Sequence, residues 1–233
     1  MSPESLRQPQ ESLPRIALGA PAPRFAGEDD ELLPPRITAE GTLRRILISA
    51  LKHFGQHGYH AASMRAIAKE AGMRASSMYE HRASKEDLLV ELMVAGHEEI
   101  RDWLLEAKRS AGSPAADQVD AIVRADVRFH ATYPLLARVC NRELGSLSPA
   151  RLEQVMQVRN SLVHVISDAI DRGVRLGTFR IHDGYLAAAA IGAMGIRVAE
   201  WYTPATGYTV DEVAESYAAF ALRLLGDGDL TPR

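Results

Sequence analysis

Residues 63–82 constrain the fold more than any other stretch, because they predict two short helices separated by a glycine turn. Ser63 can cap the first helix, since its hydroxyl can accept a backbone N–H that the first turn leaves unpaired. Ala71-Gly72 supplies the break, because glycine enters left-handed backbone conformations at little cost. The second helix, at about residues 74–79, is too short to be stable alone, so its neighbours must hold it. This is a helix-turn-helix arrangement, and the small polar side chains of the second helix suit close approach to a duplex groove.

An apolar stripe upstream predicts a third helix that supports this unit. Its side chains follow the i, i+3, i+4, i+7 spacing of one helix face. They are Leu43, Ile46, Leu47, Ala50, Leu51 and Phe54. Residues 42–80 therefore predict three helices around a small core. Its expected members are Phe54, Tyr59, Met64, Ile67 and Met78. Any small helical domain would carry such a stripe, so the stripe by itself does not indicate DNA binding.

The motifs of this region resemble the N-terminal domain of the tetracycline-repressor (TetR) family. They are Ala50-Leu51-x-x-Phe54-x-x-x-Gly58-Tyr59-x-x-x-Ser63-x-x-x-Ile67-Ala68-x-x-Ala71-Gly72 and Ser77-Met78-Tyr79-x-His81-x-x-Ser84-Lys85-Glu86-x-Leu88-Leu89. The resemblance implies an all-α homodimer. Its N-terminal helix-turn-helix would bind a palindromic operator, and its larger C-terminal domain would bind a small effector that usually releases the DNA.

The sequence departs from the family pattern at three positions. Arg82 replaces the phenylalanine of the family's Tyr-x-x-Phe motif. Ala75 stands where lysine usually opens the reading helix, one residue after Arg74, and Ser76 replaces the common glycine or alanine. These changes leave the fold prediction intact, but the operator sequence of a relative does not carry over.

The resemblance assigns eight residues to DNA binding: Ser63, Arg74, Ala75, Ser76, Ser77, Tyr79, His81 and Lys85. The positions that match phosphate contacts are Ser63, Ser77, Tyr79 and Lys85. The positions that match the base-reading edge are Arg74, Ala75 and Ser76. An arginine can pair with both acceptors on guanine, and an alanine methyl can contact a thymine methyl. Tyr79 could instead be a rim residue of the small core.

Charge is distributed unevenly along the chain. The net charge is −3, yet between Glu40 and Leu89 eight basic residues stand against five acidic ones, so this segment carries +3. A positive field on the predicted DNA-binding segment, the reader, with a negative field elsewhere would orient the protein on the duplex. A solvated helical surface also carries mixed charge, so the asymmetry alone is a weak indication.

Composition indicates a soluble cytoplasmic protein. The 233 residues are 46% hydrophobic and 24% charged, which is ordinary for a globular chain. No apolar run approaches the roughly 20 residues that span a bilayer, and no signal-peptide core is visible at the N-terminus. Cys140 is the single cysteine, so no internal disulfide can form, which fits a reducing compartment. We expect it to be a small buried hydrophobe rather than a redox or ligand thiol.

No pattern typical of an enzyme or a metal site is present. The sequence lacks a nucleophile elbow, a glycine-rich phosphate loop and a His-Glu-x-x-His motif. His53, His57 and His60 cluster at a helix end, but no cysteine or carboxylate pair completes a site, so we expect surface histidines. Neither catalysis nor a cofactor is expected. The alternative to a DNA-binding regulator is a helical protein-binding adaptor that has lost specific DNA binding, which Arg82 and the missing lysine at position 75 support.

The chain divides into four predicted segments. Residues 1–36 are rich in proline and net acidic, and they predict an extended, mostly disordered N-terminal arm. Residues 37–83 form the helix-turn-helix domain, residues 84–227 the ligand-binding and dimerisation domain, and residues 228–233 a flexible tail. Helical patterns without a strand pattern predict an all-α fold. The helices of the second domain are expected at about residues 84–108, 116–132, 134–144, 149–172, 183–202 and 209–225.

The last two predicted helices are candidates for a dimer interface. The first is rich in small residues between Ala187 and Gly195. Small side chains let helix backbones approach closely, which must offset the roughly 1 kcal/mol that a helical glycine costs. The second helix places on one face Val213, Tyr217, Phe220, Leu224 and Leu225. We expect a four-helix bundle formed with the two-fold copies of these helices, and packing within one subunit is the alternative.

Polar and aromatic side chains within the apolar helices of the second domain, His130 among them, predict a ligand pocket, which needs apolar walls and a few placed polar groups. The candidates are Trp103, Phe129, Tyr133, Arg138, Asn141, Met156, Arg159, Met194, Arg197 and Trp201. The run Glu200-Trp201-Tyr202-x-Pro204, followed by Thr209-x-x-Glu212-Val213 and Tyr217, resembles a TetR subgroup that controls lipid or sterol breakdown and responds to acyl-CoA thioesters. That resemblance implies that Arg138, Arg159 or Arg197 meets a phosphate or carboxylate. A bulky apolar ligand of another type is the alternative.

Overall fold

The computed structural model describes residues 29–74, 78 and 84–226. Within these residues the chain forms eight α-helices and no β-strand, which confirms the predicted all-α class. The helices are α1 (Gly41–His57), α2 (Met64–Glu70), α3 (Lys85–Ser110), α4 (Ala115–Thr132), α5 (Pro134–Arg142), α6 (Pro149–Arg175), α7 (Gly184–Trp201) and α8 (Val210–Leu224). Helices α3 to α8 begin and end within three residues of their predicted bounds.

Several predicted features lie outside the described residues. They are the reading helix apart from Arg74 and Met78, residues 1–28 of the arm, and the tail at residues 228–233. The members of the candidate DNA-binding set that lie there are Ala75, Ser76, Ser77, Tyr79 and His81. Their assignment stays a prediction.

Helices α1 and α2 pack around the apolar stripe predicted for α1. Five of its six side chains are buried, and Leu43 packs against them while partly buried. The buried Ser49 hydroxyl of α1 donates to the Ile67 carbonyl of α2 at 3.0 Å, so this polar group is satisfied. The predicted members of the core are all found in it: Phe54, Ile67 and Met78 buried, and Tyr59 and Met64 partly buried.

The turn that follows α2 has the predicted geometry. The Ser63 hydroxyl accepts the Ala66 N–H at 3.2 Å and caps α2. The chain then turns at Gly72, whose φ of +73° lies in the left-handed region that favours glycine. The Met73 N–H donates to the Ala68 carbonyl at 2.8 Å and the Gly72 N–H donates to the Lys69 carbonyl at 3.2 Å. These two hydrogen bonds form a Schellman cap at the end of α2.

The structure corrects the last part of the predicted disordered arm. Leu32 and Leu33 are almost completely buried, and Ile37 packs with them into the core of α1 and α2. The prolines of this segment indicated an extended arm through residue 36, but burying these apolar side chains outweighs the chain entropy lost. The packed domain therefore begins upstream of the predicted boundary at residue 37.

The helix-turn-helix unit shares its core with the second domain. The N-terminal half of α3, one face of α5 and the start of α6 all contribute buried side chains to the core of α1 and α2. Helix α1 approaches α5 so closely at Gly55 that a Cβ there would collide with Leu135. The predicted boundary between residues 83 and 84 thus separates two segments of chain but not two independent cores.

A second core lies among α3, α4, α6, α7 and α8. Helix α4 is at its centre and contacts each of the other four helices as well as α5. Val119 and Ile122 of α4 are inaccessible to solvent. At the end of α6, Gly173 leaves room for the buried ring of Phe179, because a Cβ there would overlap the ring. This core is not filled, and it encloses the cavity described below.

Helices α7 and α8 each bury one side in the second core and expose the other side at the surface. The side buried within the subunit comprises Ala187, Ala188, Gly195, Val213 and Leu225. The outward apolar face comprises Tyr185, Leu186, Ala189, Ala190, Ala193, Phe220 and Leu224. Tyr185 and Leu186 are 74% and 62% exposed. Packing within the subunit and an outward apolar face therefore use different residues of the same two helices.

Candidate functional site

The described part of the helix-turn-helix unit carries exposed cations that contact no described carboxylate. Arg65 and Lys69 lie one turn apart on the exposed side of α2, and the exposed Arg74 follows the Gly72 turn. Among the described residues none of these three pairs with a carboxylate, whereas Lys52 on α1 contacts Glu70 at 3.8 Å. Exposed cations on and beside a surface helix suit the phosphate oxygens of a nucleic-acid backbone.

Ser63 is exposed at the N-terminus of α2, beside these cations. Its hydroxyl oxygen accepts the Ala66 N–H, which leaves its own hydrogen able to donate outward. The structure thus gives Ser63 a capping contact and leaves its predicted phosphate contact geometrically available.

Lys85 holds the start of α3 against the loop between α1 and α2. Its ammonium donates to the carbonyl oxygens of Tyr59 at 2.7 Å and Ala62 at 2.8 Å, and it lies 4.2 Å from the centroid of the Tyr59 ring. Because an ammonium has three N–H donors, one is left for a phosphate. Sequence reasoning did not foresee this positioning contact, and the phosphate contact stays a prediction.

A cavity of about 380 Å³ lies inside the second core. Much of its wall is apolar and comes from three helices: Ile100, Leu104, Ile122, Val123, Leu162 and Ile166. Helix α7 adds small residues, among them Ala188, Ala189 and Gly192, and the exposed Tyr185. The volume falls in the range of about 300–1,000 Å³ that small-molecule sites occupy, near its lower limit.

Polar groups gather at the end of the cavity next to α5. Arg159 Nη1 of α6 donates to the Asn141 side-chain oxygen of α5 at 2.8 Å and lies 3.3 Å from His97 Nε2 of α3. Asp126 and His130 of α4 reach the same end, with His130 Nδ1 3.3 Å from the Asp126 carboxylate. The cavity is therefore apolar at one end and polar at the other.

Burial fixes the proton positions of these groups. Burial, together with the nearby charge of Arg159, lowers the pKa of His97 to about 4, so the ring is neutral at pH 7. A neutral ring protonated on Nδ1 donates to the Met93 carbonyl at 2.7 Å and accepts from Arg159 on Nε2. For His130, burial lowers the pKa, but the Asp126 carboxylate outweighs it and the net shift is upward.

Three of the ten predicted pocket residues line the cavity: Phe129, Asn141 and Arg159. The other seven lie elsewhere: Trp103, Tyr133, Arg138, Met156, Met194, Arg197 and Trp201. Trp103 packs edge-on against the Phe129 ring, behind the wall. Arg138 is buried and donates to the Ala199 carbonyl at 3.2 Å, and Arg197 is exposed to solvent.

Sequence reasoning missed two polar residues of the cavity wall, His97 and Asp126. Each interrupts an apolar helical stripe, since His97 falls one turn after Met93 and Asp126 falls one turn after Ile122. A buried polar side chain in such a stripe needs a partner or a function, and this was the signal available in the sequence.

The remaining candidate chemistry does not form a site. Cys140 lines the cavity, and burial raises the pKa of its thiol to about 12, which keeps it protonated and unreactive. His53 lies 2.9 Å from the Glu70 carboxylate. Within the described part of the chain, no group of three His, Cys, Asp or Glu side chains could hold a metal ion. The described helices also include none with the length and apolarity to cross a membrane.

Comparison with known proteins matches both parts of the chain. Residues 46–92 match the family model of bacterial regulatory proteins of the tetR family, and residues 112–225 match the tetracyclin repressor-like C-terminal domain. A solved regulatory protein of the tetR family from Rhodococcus RHA1 is 31% identical, with a TM-score of 0.77, over 82% of this chain and 100% of that one. The repressor KstR2 of Rhodococcus jostii is 24% identical over 78% of this chain and 90% of its own length.

A further solved structure, AibR in complex with isovaleryl coenzyme A and operator DNA, is 19% identical with a TM-score of 0.71. It covers 77% of this chain and 97% of its own, and at this identity the likeness shows the fold alone. The matched regions coincide with the helix-turn-helix unit and with the domain that holds the cavity. These relatives are regulators rather than enzymes. The chain therefore belongs to the TetR family of DNA-binding transcriptional regulators, with a ligand-binding C-terminal domain.

Proposed function

We propose that this protein is a repressor that binds a palindromic operator as a homodimer and leaves it when a small apolar effector fills the cavity. The observation that carries this proposal is the position of α5. Leu136 and Val139 on this helix belong to the core of α1 and α2. Its Ala137, Cys140 and Asn141 line the cavity. A ligand that moves α5 would therefore act on the helix-turn-helix unit through direct packing.

On the operator, two classes of contact are proposed. The exposed cations Arg65 and Lys69 would contact phosphates. So would the predicted set of Ser63, Ser77, Tyr79 and Lys85. Base contacts fall to Arg74, Ala75 and Ser76, with His81 completing the candidate set. Two such readers related by a two-fold axis sit about 34–36 Å apart, one turn of B-form DNA.

The dimer is proposed to form through α7 and α8. Tyr185, Leu186, Phe220 and Leu224 are large apolar side chains that stand exposed on these two helices, and such patches typically mark contact surfaces. The exposed Ala189, Ala190 and Ala193 of α7 would let a partner helix approach closely. The double variant Leu186→Asp/Phe220→Asp should be monomeric by sedimentation, whereas Leu105→Asp, at an exposed leucine of α3, should leave the dimer intact.

The effector is proposed to be a small molecule with an apolar body. AibR has been solved with isovaleryl coenzyme A, which supports an acyl-CoA as one candidate. A cavity of about 380 Å³ would enclose the acyl group and leave the nucleotide part outside. The ligand releases DNA only to the extent that it binds the released state more tightly than the DNA-bound state. A regulator of this kind would act in the cytoplasm, where its operator is.

A gel shift on the DNA upstream of its own coding region tests the proposal. We expect a complex that resists a random competitor duplex. Arg74→Ala should lose about 1–3 kcal/mol of discrimination at one base pair. Arg65→Ala and Lys85→Ala should weaken binding to specific and random duplexes alike and make the affinity less dependent on salt. Arg175→Ala, at an exposed arginine ending α6, is the matched control.

Two results would contradict these assignments. If Arg74→Ala, like Arg65→Ala, weakens binding to specific and random DNA equally, the division into base and phosphate contacts is wrong. If the protein is a stable dimer and gives no specific shift, the repressor proposal fails in favour of a helical adaptor that has lost specific DNA binding.

A further inference from the structure

The charge balance of the cavity narrows the class of effector. Arg159 enters the cavity from α6, and its two side-chain contacts are neutral acceptors on Asn141 at 2.8 Å and on His97 at 3.3 Å. Asp126, the carboxylate in the same wall, is paired with His130. Within the described part of the chain, the guanidinium therefore has no anionic partner. Arginine stays charged even though partial burial lowers its pKa, and a half-buried charge in a cavity wall gains from an anionic partner.

We propose that the cavity takes a monocarboxylic acid with an apolar body, whose carboxylate pairs with Arg159 while the body fills the end formed by Ile100, Leu104 and Ile166. This rests on the proposed function, because it names the effector class of the same cavity. A carboxylate can accept two parallel N–H bonds from a guanidinium and matches its charge one for one. The anion would also meet α5, because Arg159 is bonded to Asn141.

The same balance disfavours the other ligand classes. A phosphate group carries close to two negative charges, so one would be left unmatched in a wall that already holds Asp126. A CoA thioester whose nucleotide part stays outside the cavity would present only a neutral thioester to Arg159 and leave its charge without an anionic partner. A neutral lipid or alcohol would leave the charge of Arg159 without a partner.

Isothermal titration of the full-length, DNA-free protein with matched acid and alcohol pairs tests the inference. The probes are octanoate and 1-octanol, cyclohexanecarboxylate and cyclohexylmethanol, and 3-phenylpropanoate and 3-phenylpropanol. For at least one skeleton the acid should bind about tenfold more tightly than its alcohol, because charge-assisted hydrogen bonds separate the two. Octanoyl-CoA should bind no more tightly than octanoate.

Variants at Arg159 test whether this residue causes the preference for acids over alcohols. Arg159→Gln should bring the acid-to-alcohol affinity ratio to about one, and Arg159→Lys should keep part of it, since lysine retains the charge without the two-pronged geometry. Arg175→Gln, at an exposed arginine of the same helix, should keep all of it. Acids that bind no more tightly than their alcohols, or do not bind at all, overturn the inference, as does an unchanged preference in Arg159→Gln. The wild-type comparison is decisive even if Arg159→Gln folds poorly.

A gel shift with the same preparations separates this inference from the proposed function. If the wild-type protein prefers acids but forms no specific DNA complex, the carboxylate site stands and the repressor proposal fails. If it binds its operator and is released by neutral compounds but not by acids, the repressor proposal stands and the carboxylate inference fails.

Discussion

The two cores of this protein differ in how completely they are filled. Around α1 and α2, side chains such as Leu51 and Phe54 are buried on all sides, and the buried Ser49 hydroxyl has its acceptor. Around α4, the second core encloses a cavity of about 380 Å³ with polar groups in its wall. Close-packed interiors transmit displacement rather than absorb it, whereas a hollow core can accommodate a ligand. The filled core therefore suits a rigid DNA-binding unit, and the hollow core suits a ligand-binding domain.

Helix α5 belongs to both cores, which gives the contrast a functional meaning. One face packs on α1, where Gly55 and Leu135 are in close approach, and the other face presents Asn141 to the cavity. A ligand in the cavity acts on one side of α5, and on the other side α5 already lies in close contact with α1, where a Cβ at Gly55 would collide with Leu135. The displacement would then pass to α1 and to the reader.

The largest expected effect comes from a matched pair of leucine truncations. Leu51→Ala removes atoms with neighbours on every side, so we expect the free energy of unfolding to fall by about 3–4 kcal/mol. Leu104→Ala removes atoms from the cavity wall, which lack neighbours on one side, so the expected loss is about 2 kcal/mol. Urea unfolding measures both. Equal losses would mean that the two cores are packed alike.

The second prediction concerns pH and the hollow core alone. The pKa of His97 is about 4 in the fold, against 6.5 ordinarily, so the unfolded chain takes up the proton first as the pH falls. The free energy of unfolding is therefore unaffected by protonation of His97 above about pH 6.5 and falls as the pH drops from 6.5 towards 4. Between pH 7 and pH 5 the expected fall is about 2 kcal/mol. Near it, His130 has a raised pKa and opposes this trend, while Arg159 stays charged. His97→Gln should flatten the pH dependence.

Urea unfolding at the two pH values checks this prediction, with His164→Gln as the control because His164 is an exposed histidine of α6. Apart from the substituted histidine the three proteins contain the same titratable groups, so the differences between them isolate His97. A pH dependence that is the same in wild type and His97→Gln would show that the His97 ring is charged or solvated in the fold.

Two glycines of α7 give a smaller test of the hollow core. A Cβ at Gly195 would collide with the Asp126 carboxylate that pairs with His130, whereas a Cβ at Gly192 meets no described atom within 4 Å. Both changes to alanine gain roughly 1 kcal/mol of helix propensity. We expect Gly192→Ala to raise the melting temperature and Gly195→Ala to cost about 1 kcal/mol net, because the clash exceeds the gain. A stabilised Gly195→Ala would mean that Asp126 is free to leave His130.

The smallest expected effects are at two helix caps, one in each part of the protein. Ser63 caps α2 with a single hydrogen bond, while Thr209 and Glu212 form a reciprocal capping box at α8. Ser63→Ala should cost about 0.5 kcal/mol, and Thr209→Ala should cost more, up to about 1 kcal/mol, because it disturbs both halves of the box. Thermal melting ranks them, and the reverse order would contradict this account of the caps.

The helix-turn-helix unit was predictable because its signals are local. The cap at Ser63, the turn at Gly72 and the stripe along α1 each depend on neighbours a few residues away. The cavity was not predictable in the same way, because Arg159 and Asn141 come from helices that only packing brings together. Nothing in their sequence spacing distinguishes Arg159, which lines the cavity, from Arg197, which faces solvent. The burial of Leu32 and Leu33 was missed for a related reason, since two apolar residues among prolines have no helical period.

The most direct test of the central claim, that α5 couples the cavity to the reader, is hydrogen exchange of the full chain with and without its operator. Coupling between two sites is reciprocal in affinity, so DNA that is released by an effector must itself weaken the binding of that effector. We predict that a specific duplex, and not a random one, changes amide protection in α5 and around Arg159 as well as in the helix-turn-helix unit. Changes confined to residues 29–92 would contradict the account.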